Sequence, residues 1–234
     1  MGKKNIITAV VAVLVIAGIA TAVLWNRNHT SDQSQRAAGQ NTTESTAGSR
    51  QENQKALIVY FSRVGNTDFD SDMDALTSAS VQKENGELTG DTQILAEDLQ
   101  EMTGGDLTEI IADEPYPQDY DETRERSHRE KDENTLPGIS TDIEDIESYD
   151  VIYLGYPVWS TTLPAPVKTF LSEHDFSGKT ILPFCTHAGY GAGDTYDTIQ
   201  DLSEGSTVEE GLAVEDSDLD QAQDLLEQWL NQES

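Results

Sequence analysis

Residues 56–69 read ALIVYFSRVGNTDF, an unbroken apolar run that ends in two hydroxyls, an amide side chain, a glycine and one arginine. The run is β-branched and aromatic, too short for a helix, and of the buried kind found in parallel sheets. The polar cluster that follows, at 62–67, is either an ordinary turn or a cradle for a phosphate group. Backbone N–H groups flanked by Ser and Thr hydroxyls can hold an anion without a lysine, and Arg63 is the one cation at hand. The pattern recurs along the chain. DLTEIIA (106–112), DVIYLGY (150–156), KTILPFC (179–185) and TVEEGLAV (207–214) bring the strand candidates to five. Between and after them Ile94, Leu95, Leu99 and Met102 share one helical face, as do Val167, Phe170 and Leu171, and Ala222, Leu225, Leu226, Trp229 and Leu230. Strands and helices alternating in this order predict a doubly wound α/β domain with right-handed crossovers. In such a sheet a ligand sits beyond the carboxyl ends of the strands.

The chain has 234 residues with 14 Lys+Arg against 44 Asp+Glu, a formal net charge of −30. A surface of that sign repels a nucleic acid backbone, so no nucleic acid partner is expected. The acidity lies in residues 55–234, which hold nine basic and 41 acidic residues and have the length of one domain. Residues 6–25, IITAVVAVLVIAGIATAVLW, carry no charge and follow Lys3 and Lys4. As a helix they reach about 30 Å, the thickness of the hydrocarbon layer, which predicts an N-terminal signal anchor over 1–25. The lysines hold the N-terminus in the cytoplasm and place the rest of a single-pass membrane protein outside. The alternative is a secreted protein cleaved near Ala22, because Ala20-Thr21-Ala22 has the small-x-small form of a cleavage site. The sole cysteine, Cys185, is too far along the chain to carry a lipid anchor. Residues 26–54 contain almost no apolar side chain larger than alanine and read as a disordered, flexible tether. Two N-x-[ST] sequons there, at Asn28 and Asn41, are short enough to occur by chance.

Three segments taken together, LIVYFSRVGNT, YDVIYLGYPVWSTTLPAPVKTFL and GKTILPFCTHAGYGAG, resemble the flavodoxins, in the bacterial subgroup of flavodoxin-like proteins; the resemblance covers about residues 55–234. It implies a five-stranded parallel sheet of order 2-1-3-4-5 with flavin mononucleotide (FMN) at the switch point. It also implies that Ser62, Arg63, Val64, Gly65, Asn66 and Thr67 form the FMN phosphate loop. Pro157, Val158, Trp159, Ser160, Thr161 and Thr162 would form a first loop around the isoalloxazine ring, and Thr186, His187, Ala188, Gly189, Tyr190 and Gly191 a second.

The residues support this reading in their own right. Trp159 stands just past a strand in a polar loop, where an indole can stack on a planar ring or cap the end of the core. The glycines of CTHAGYGAG let a backbone approach a flavin closely, or simply make a flexible turn before a helix. His187 is either a proton donor near the flavin or a loop histidine. Cys185 ends an apolar strand and reads as a small buried hydrophobe. A phosphatase-type C-x5-R motif fails, since Gly191 stands where the arginine would be. Walker A and Rossmann glycine patterns are absent from the first turn.

One departure from the family pattern is the stretch 68–91, which separates the phosphate loop from the first helix and puts the helix-dipole contribution to phosphate binding in question. Its Asp68, Asp70, Asp72 and Asp74 do not make an EF-hand loop, which needs glycine and glutamate where Met73 and Ala79 stand, so no metal is expected. DALTSAS within it distantly resembles the motif by which other flavoproteins bind FMN covalently, with Ser80 in place of the key threonine. Residues 119–134 hold four of the nine domain cations, Arg124, Arg126, Arg129 and Lys131. They read as a solvated helix face with i,i+4 ion pairs, or as a docking site for an acidic partner or an anionic nucleotide.

The expected protein is therefore an FMN-binding electron carrier tethered to the outer face of the membrane, exchanging electrons with redox partner proteins or small acceptors and needing no protein nucleophile or acid–base triad. The surrounding carboxylates should bias the flavin toward low potential. Alternatives on the same fold are an NAD(P)H-dependent FMN-containing quinone or flavin reductase, or a flavin-free tethered interaction domain.

Overall fold

The computed structural model describes residues 54–69, 80–84, 87–143 and 145–232. The expected membrane anchor and tether, and the stretch bearing Asp70, Asp72 and Asp74, lie outside these residues. Among the described residues no helix is long and apolar enough to cross a membrane.

The apolar run at 56–60 forms β1 (Ala56–Tyr60), and after the hairpin β2 (Val81–Glu84) and β3 (Glu87–Gly90) the chain enters α1 (Asp91–Thr103) and β4 (Asp106–Glu109). Next come α2 (Tyr120–Glu133), β5 (Val151–Pro157), α3 (Ala165–Glu173) and β6 (Thr180–His187). The chain continues through α4 (Thr195–Leu202), β7 (Thr207–Val208), β8 (Leu212–Glu215) and α5 (Ala222–Gln232). The main sheet runs β4-β1-β5-β6, with β7 and β8 both paired to β6, and every pairing is parallel. Read as five strands in chain order this is 2-1-3-4-5, as expected.

Burial on both faces explains why β1, β5 and β6 read as continuous apolar runs. The two-residue period of a strand sends Leu57, Val59, Ile152, Leu154, Tyr156 and Ile181 into one core cluster with Val167 and Phe170 of α3 and Ile199 of α4. The alternate positions Ile58, Tyr60, Tyr153, Leu182 and Phe184 join Leu95 and Leu99 of α1 and Leu226 and Trp229 of α5. Gly155 in β5 is required by this packing, because a Cβ there would run into the Phe184 ring.

The fifth strand is not the single element expected at 207–214. It breaks between β7 and β8, opposite Leu182 and Pro183 of β6, where the proline has no N–H to offer. Gly211 in the gap gives room to the Tyr196 ring, and the Trp229 indole donates to the Glu210 carbonyl at 3.0 Å. The second strand is also shorter than the expected 106–112. Past β4 the Ile111 N–H is taken by Thr141 Oγ1 at 2.7 Å and the Ala112 N–H by the Asn66 side chain at 2.7 Å.

The departure at 68–91 is described only in part. In it β2 and β3 pair antiparallel, and Gly90, the residue before α1, abuts the Ser62 side chain; a Cβ on Gly90 would collide with Ser62 Oγ. The N-terminus of α1 thus lies beside the loop after β1 despite the interruption.

Candidate functional site

Three loops leave the carboxyl ends of β1, β5 and β6 on the same side of the sheet. In the first, Ser62 Oγ accepts from the Val64 N–H at 3.2 Å, tightening the turn. Asn66 is a brace: its amide nitrogen donates to the carbonyls of Ser62 and Ile110, both at 2.9 Å, and its oxygen receives the Ala112 N–H. Both ends of that side chain are engaged by backbone. Thr67 is buried, yet its Oγ1 has no hydrogen-bond partner among the described residues. Gly65 lies directly over the carboxyl of Glu109 at the end of β4, so close that a Cβ would overlap it.

That carboxyl receives the Tyr60 hydroxyl at 3.4 Å on Oε2, while Oε1 has no partner among the described residues. Burial pushes its pKa up to about 7, aided by the charge of Glu97 and opposed by the hydrogen bonds from Tyr60 and the Ser62 backbone. Burial likewise raises Asp91, in the first turn of α1, to about 6; Asp216 adds to the shift and a hydrogen bond with Gln82 opposes it.

Arg63 turns away from its own loop. Its guanidinium is buried, donating to the Gln118 carbonyl at 2.9 Å and more weakly to the Pro117 carbonyl and Thr123 Oγ1, both at 3.4 Å. It lies 5.3 Å from the Phe69 ring centroid and 6.0 Å from that of Tyr120. This side chain ties the first loop to the N-terminus of α2.

The second loop is a two-residue hairpin. Trp159 and Thr162 exchange backbone hydrogen bonds of 3.1 and 3.0 Å, with Ser160 (φ 52°) and Thr161 (φ 63°) between them. Positive φ at both central positions is the type I′ geometry, adopted here without the usual glycine or asparagine. A β-branched residue in that region costs about 1–2 kcal/mol, so the neighbours must hold the turn. Lys131 of α2 donates to the Ser160 carbonyl at 2.8 Å, and the Asp194 N–H reaches the Thr161 carbonyl at 3.2 Å. Gly193 gives the Thr161 carbonyl its space, since a Cβ at that position would strike it. Trp159 packs edge-on against Phe61 (5.2 Å between centroids) and Tyr116 (4.9 Å). It both caps one end of the core and lines the cleft described below.

In the third loop Thr186 Oγ1 lies 2.9 Å from Thr92 Oγ1 of α1, and its carbonyl accepts the Val158 N–H at 2.8 Å. His187 Nδ1 accepts from the Gly189 N–H at 3.1 Å, which leaves Nε2 as the ring's proton-bearing nitrogen in the neutral form. Gly189 and Gly191 adopt positive φ, and Tyr190 projects 80% exposed. Cys185, just before the loop, is fully buried, and burial pushes its thiol up to about 12, as suits an inert core residue.

A cleft of about 380 Å³ opens where these loops meet. The expected site residues that line it are Arg63, Val158, Trp159, Ser160, Thr161, Thr186, His187, Ala188 and Tyr190. Ser62, Val64, Gly65, Asn66, Thr67, Pro157, Thr162, Gly189 and Gly191 lie in the same loops but off its described wall. The remaining wall comes from residues outside the expected set: Ser80, and a stripe of α2 made by Tyr120, Thr123, Arg124, Ser127 and His128. Their i, i+3, i+4, i+7, i+8 spacing is a helix-face signal, muted in the sequence because the face is polar. A second missed signal is the triplet Gly90-Asp91-Thr92, which repeats the glycine–amide/acid–threonine form of Gly65-Asn66-Thr67 immediately before an amphipathic helix.

A flavodoxin family model matches residues 86–233. The chain belongs to the flavodoxin family, and its α/β parallel sheet is that of the family. Among solved structures, it is similar to a Bacteroides eggerthii protein assigned to the flavoproteins: 28% identity over 76% of this chain and 97% of the other, TM-score 0.58. A Bacteroides uniformis protein assigned likewise shares 22% identity over 75% and 99%, TM-score 0.57. A Lactobacillus acidophilus flavoprotein solved in complex with FMN shares 23% identity over 72% and 98%, TM-score 0.51. No curated protein matches the chain in sequence.

Proposed function

We propose that this domain binds FMN noncovalently and carries electrons, tethered to the outer face of the membrane through residues 6–25. The observation that carries the reading is a cleft of about 380 Å³, a size suited to a cofactor, walled by the loops after β5 and β6, α2 and the Arg63 side chain of the loop after β1. The donor set fits the group. The loop after β1 and the N-terminus of α1 adjoin at Ser62 and Gly90, offering backbone N–H groups, the Thr67 hydroxyl, unpartnered among the described residues, and a helix dipole to the phosphate. In this arrangement Asn66 shapes the phosphate loop rather than touching the ligand, and Arg63 anchors the wall that faces it. Trp159, fixed by Phe61 and Tyr116, and the exposed Tyr190 supply aromatic surface for the ring, with Ser160, Thr161, Thr186, His187 and Ala188 around them.

FMN when bound supplies the redox chemistry. The protein's part is to orient it and to set its field. Lys131 and Gly193 hold the strained Ser160–Thr161 turn rigid, so carbonyl and N–H groups meet the ligand without reorganising. Membership of the flavodoxin family and the FMN complex of the Lactobacillus acidophilus protein support this reading. The membrane tether rests on the uncharged run at 6–25 behind Lys3 and Lys4. The test is the visible spectrum of the purified full chain together with fractionation of the cells. Flavin bands and membrane association are expected. A colourless chain whose Trp fluorescence does not respond to added FMN would refute the flavin reading, and a chain in the soluble fraction would refute the tether.

A further inference from the structure

The four cations of residues 119–134 separate cleanly once α2 is placed. Arg126 is structural: it bonds Glu130 at 2.8 Å, donates to the Glu114 and Pro115 carbonyls, and covers the Tyr116 ring at 4.0 Å. Lys131 holds the Ser160 carbonyl. Arg129 is exposed and does not line the cleft. Arg124 faces the cleft, and four residues on, one turn along the same stripe, so does His128. Among the described residues Arg124 pairs with Asp121 at 3.1 Å, an exposed i,i+3 pair that holds an arginine weakly. His128 is exposed and has no hydrogen-bond or ion-pair partner among the described residues.

Among the described residues no carboxylate lines this cleft, although acids outnumber bases 44 to 14 in the chain. Its lining carries two arginines, Arg63 and Arg124, with Asp121 beside the second, in a chain that is acidic elsewhere. A small anion approaching this protein is repelled elsewhere and attracted here, because a concave site of one sign concentrates the opposite ion. In the proposed flavin site the first loop and the N-terminus of α1 hold the FMN phosphate, which leaves these two side chains free for another anion. We propose that Arg124 and His128 form an anion subsite at the cleft mouth, which seats a small redox substrate bearing phosphate or carboxylate groups against the bound flavin. The subsite rests on the flavin reading and names the class of compound that exchanges electrons there.

The test uses the FMN-loaded full chain in neutral detergent, reduced and then mixed at low ionic strength with one of two oxidants. Hexacyanoferrate(III) is an anion and hexaammineruthenium(III) a cation; each takes one electron from the reduced cofactor and ends with its metal divalent. Arg124→Gln should slow reoxidation by hexacyanoferrate(III) about three- to ten-fold, the range for losing one charge near a trivalent ion in screened water, and His128→Gln should slow it by removing a ring N–H donor. The rate with hexaammineruthenium(III) should hold or rise, FMN affinity should hold, and the anion effect should fade at high salt. Hexacyanoferrate(III) rates equal to the parent's in both variants would overturn the subsite alone. So would a loss of affinity for FMN but not for riboflavin, since the two side chains would then be holding the cofactor's own phosphate. A parent that takes up no FMN would overturn the flavin reading and the subsite with it.

Discussion

Replacing Glu109 by glutamine tests the electrostatics beneath the first loop. The Glu109 carboxyl lies under Gly65, with Tyr60 on one oxygen and nothing among the described residues on the other, and its pKa is held at about 7 instead of the ordinary 4.5. The folded protein therefore keeps a proton that the unfolded chain releases. Stability is highest below pH 4.5, falls as pH rises from 4.5 to about 7, and is flat above that, as far as this residue is concerned. Each pH unit is worth about 1.36 kcal/mol, so the gap amounts to about 3 kcal/mol, and partial solvent access reduces it to about 2 kcal/mol. Glutamine cannot ionise, so Glu109→Gln should remove this slope whatever offset it adds by changing the bond to Tyr60. Urea denaturation of parent and variant at half-unit intervals from pH 5 to pH 8 would read it. The parent should lose about 2 kcal/mol relative to the variant across that window. Parallel pH profiles would show that Glu109 is ionised in the fold at neutral pH, and the account of the carboxyl under Gly65 would be wrong.

Other substitutions probe the remaining parts of the cleft. Trp159→Ala should weaken FMN by about 1–3 kcal/mol in a fluorescence titration, the range for aromatic stacking on a planar base; unchanged affinity would remove the indole from the flavin site. Thr161→Gly should raise stability by about 1 kcal/mol in thermal denaturation by relieving a β-branched residue at positive φ, and a loss would show that the turn is not strained. Gly193→Ala should lower stability by about 2 kcal/mol or more and weaken FMN, because its Cβ meets the Thr161 carbonyl and its own φ is +63°. Normal stability in that variant would show that the second and third loops are not clamped together.

Much of the fold was legible in local patterns. The nearly continuous apolar runs within 56–62, 150–156 and 179–185 read as strands covered on both faces, and the amphipathic stretches between them supplied the covering helices. The same reasoning overran at the fifth strand, because the break at 209–211 is imposed by Pro183 on a neighbouring strand and by the Tyr196 ring, which local sequence does not see. In the site, the loops at the ends of β1, β5 and β6 were readable because glycines and hydroxyls directly after an apolar run have few other uses. The α2 wall was readable only as one of two alternatives, a solvated face or a docking site, since a polar helix face next to a cleft has the same periodicity as one next to water. Arg63 shows the limit within a single residue: its charge and position suggested a phosphate ligand, while its guanidinium in the fold bonds the segment leading into α2.

What the sequence by itself determined was the alternation of the main-sheet strands with helices, the uncharged segment at 6–25, the large negative charge and the loops that carry polar residues. These depend on the chemistry of neighbouring residues in the chain. What only the tertiary structure decided was which polar groups are already engaged, that α1 still reaches Ser62 past the insertion, and that among the described residues the cleft is lined by arginines and no carboxylate in an acidic protein. Each of those depends on residues far apart in the chain meeting in space: Asn66 with Ile110 and Ala112, Lys131 with Ser160, and Arg124 and His128 with the loops after β5 and β6. Composition averages charge over the whole surface, whereas a ligand responds to the few groups within a Debye length of where it binds.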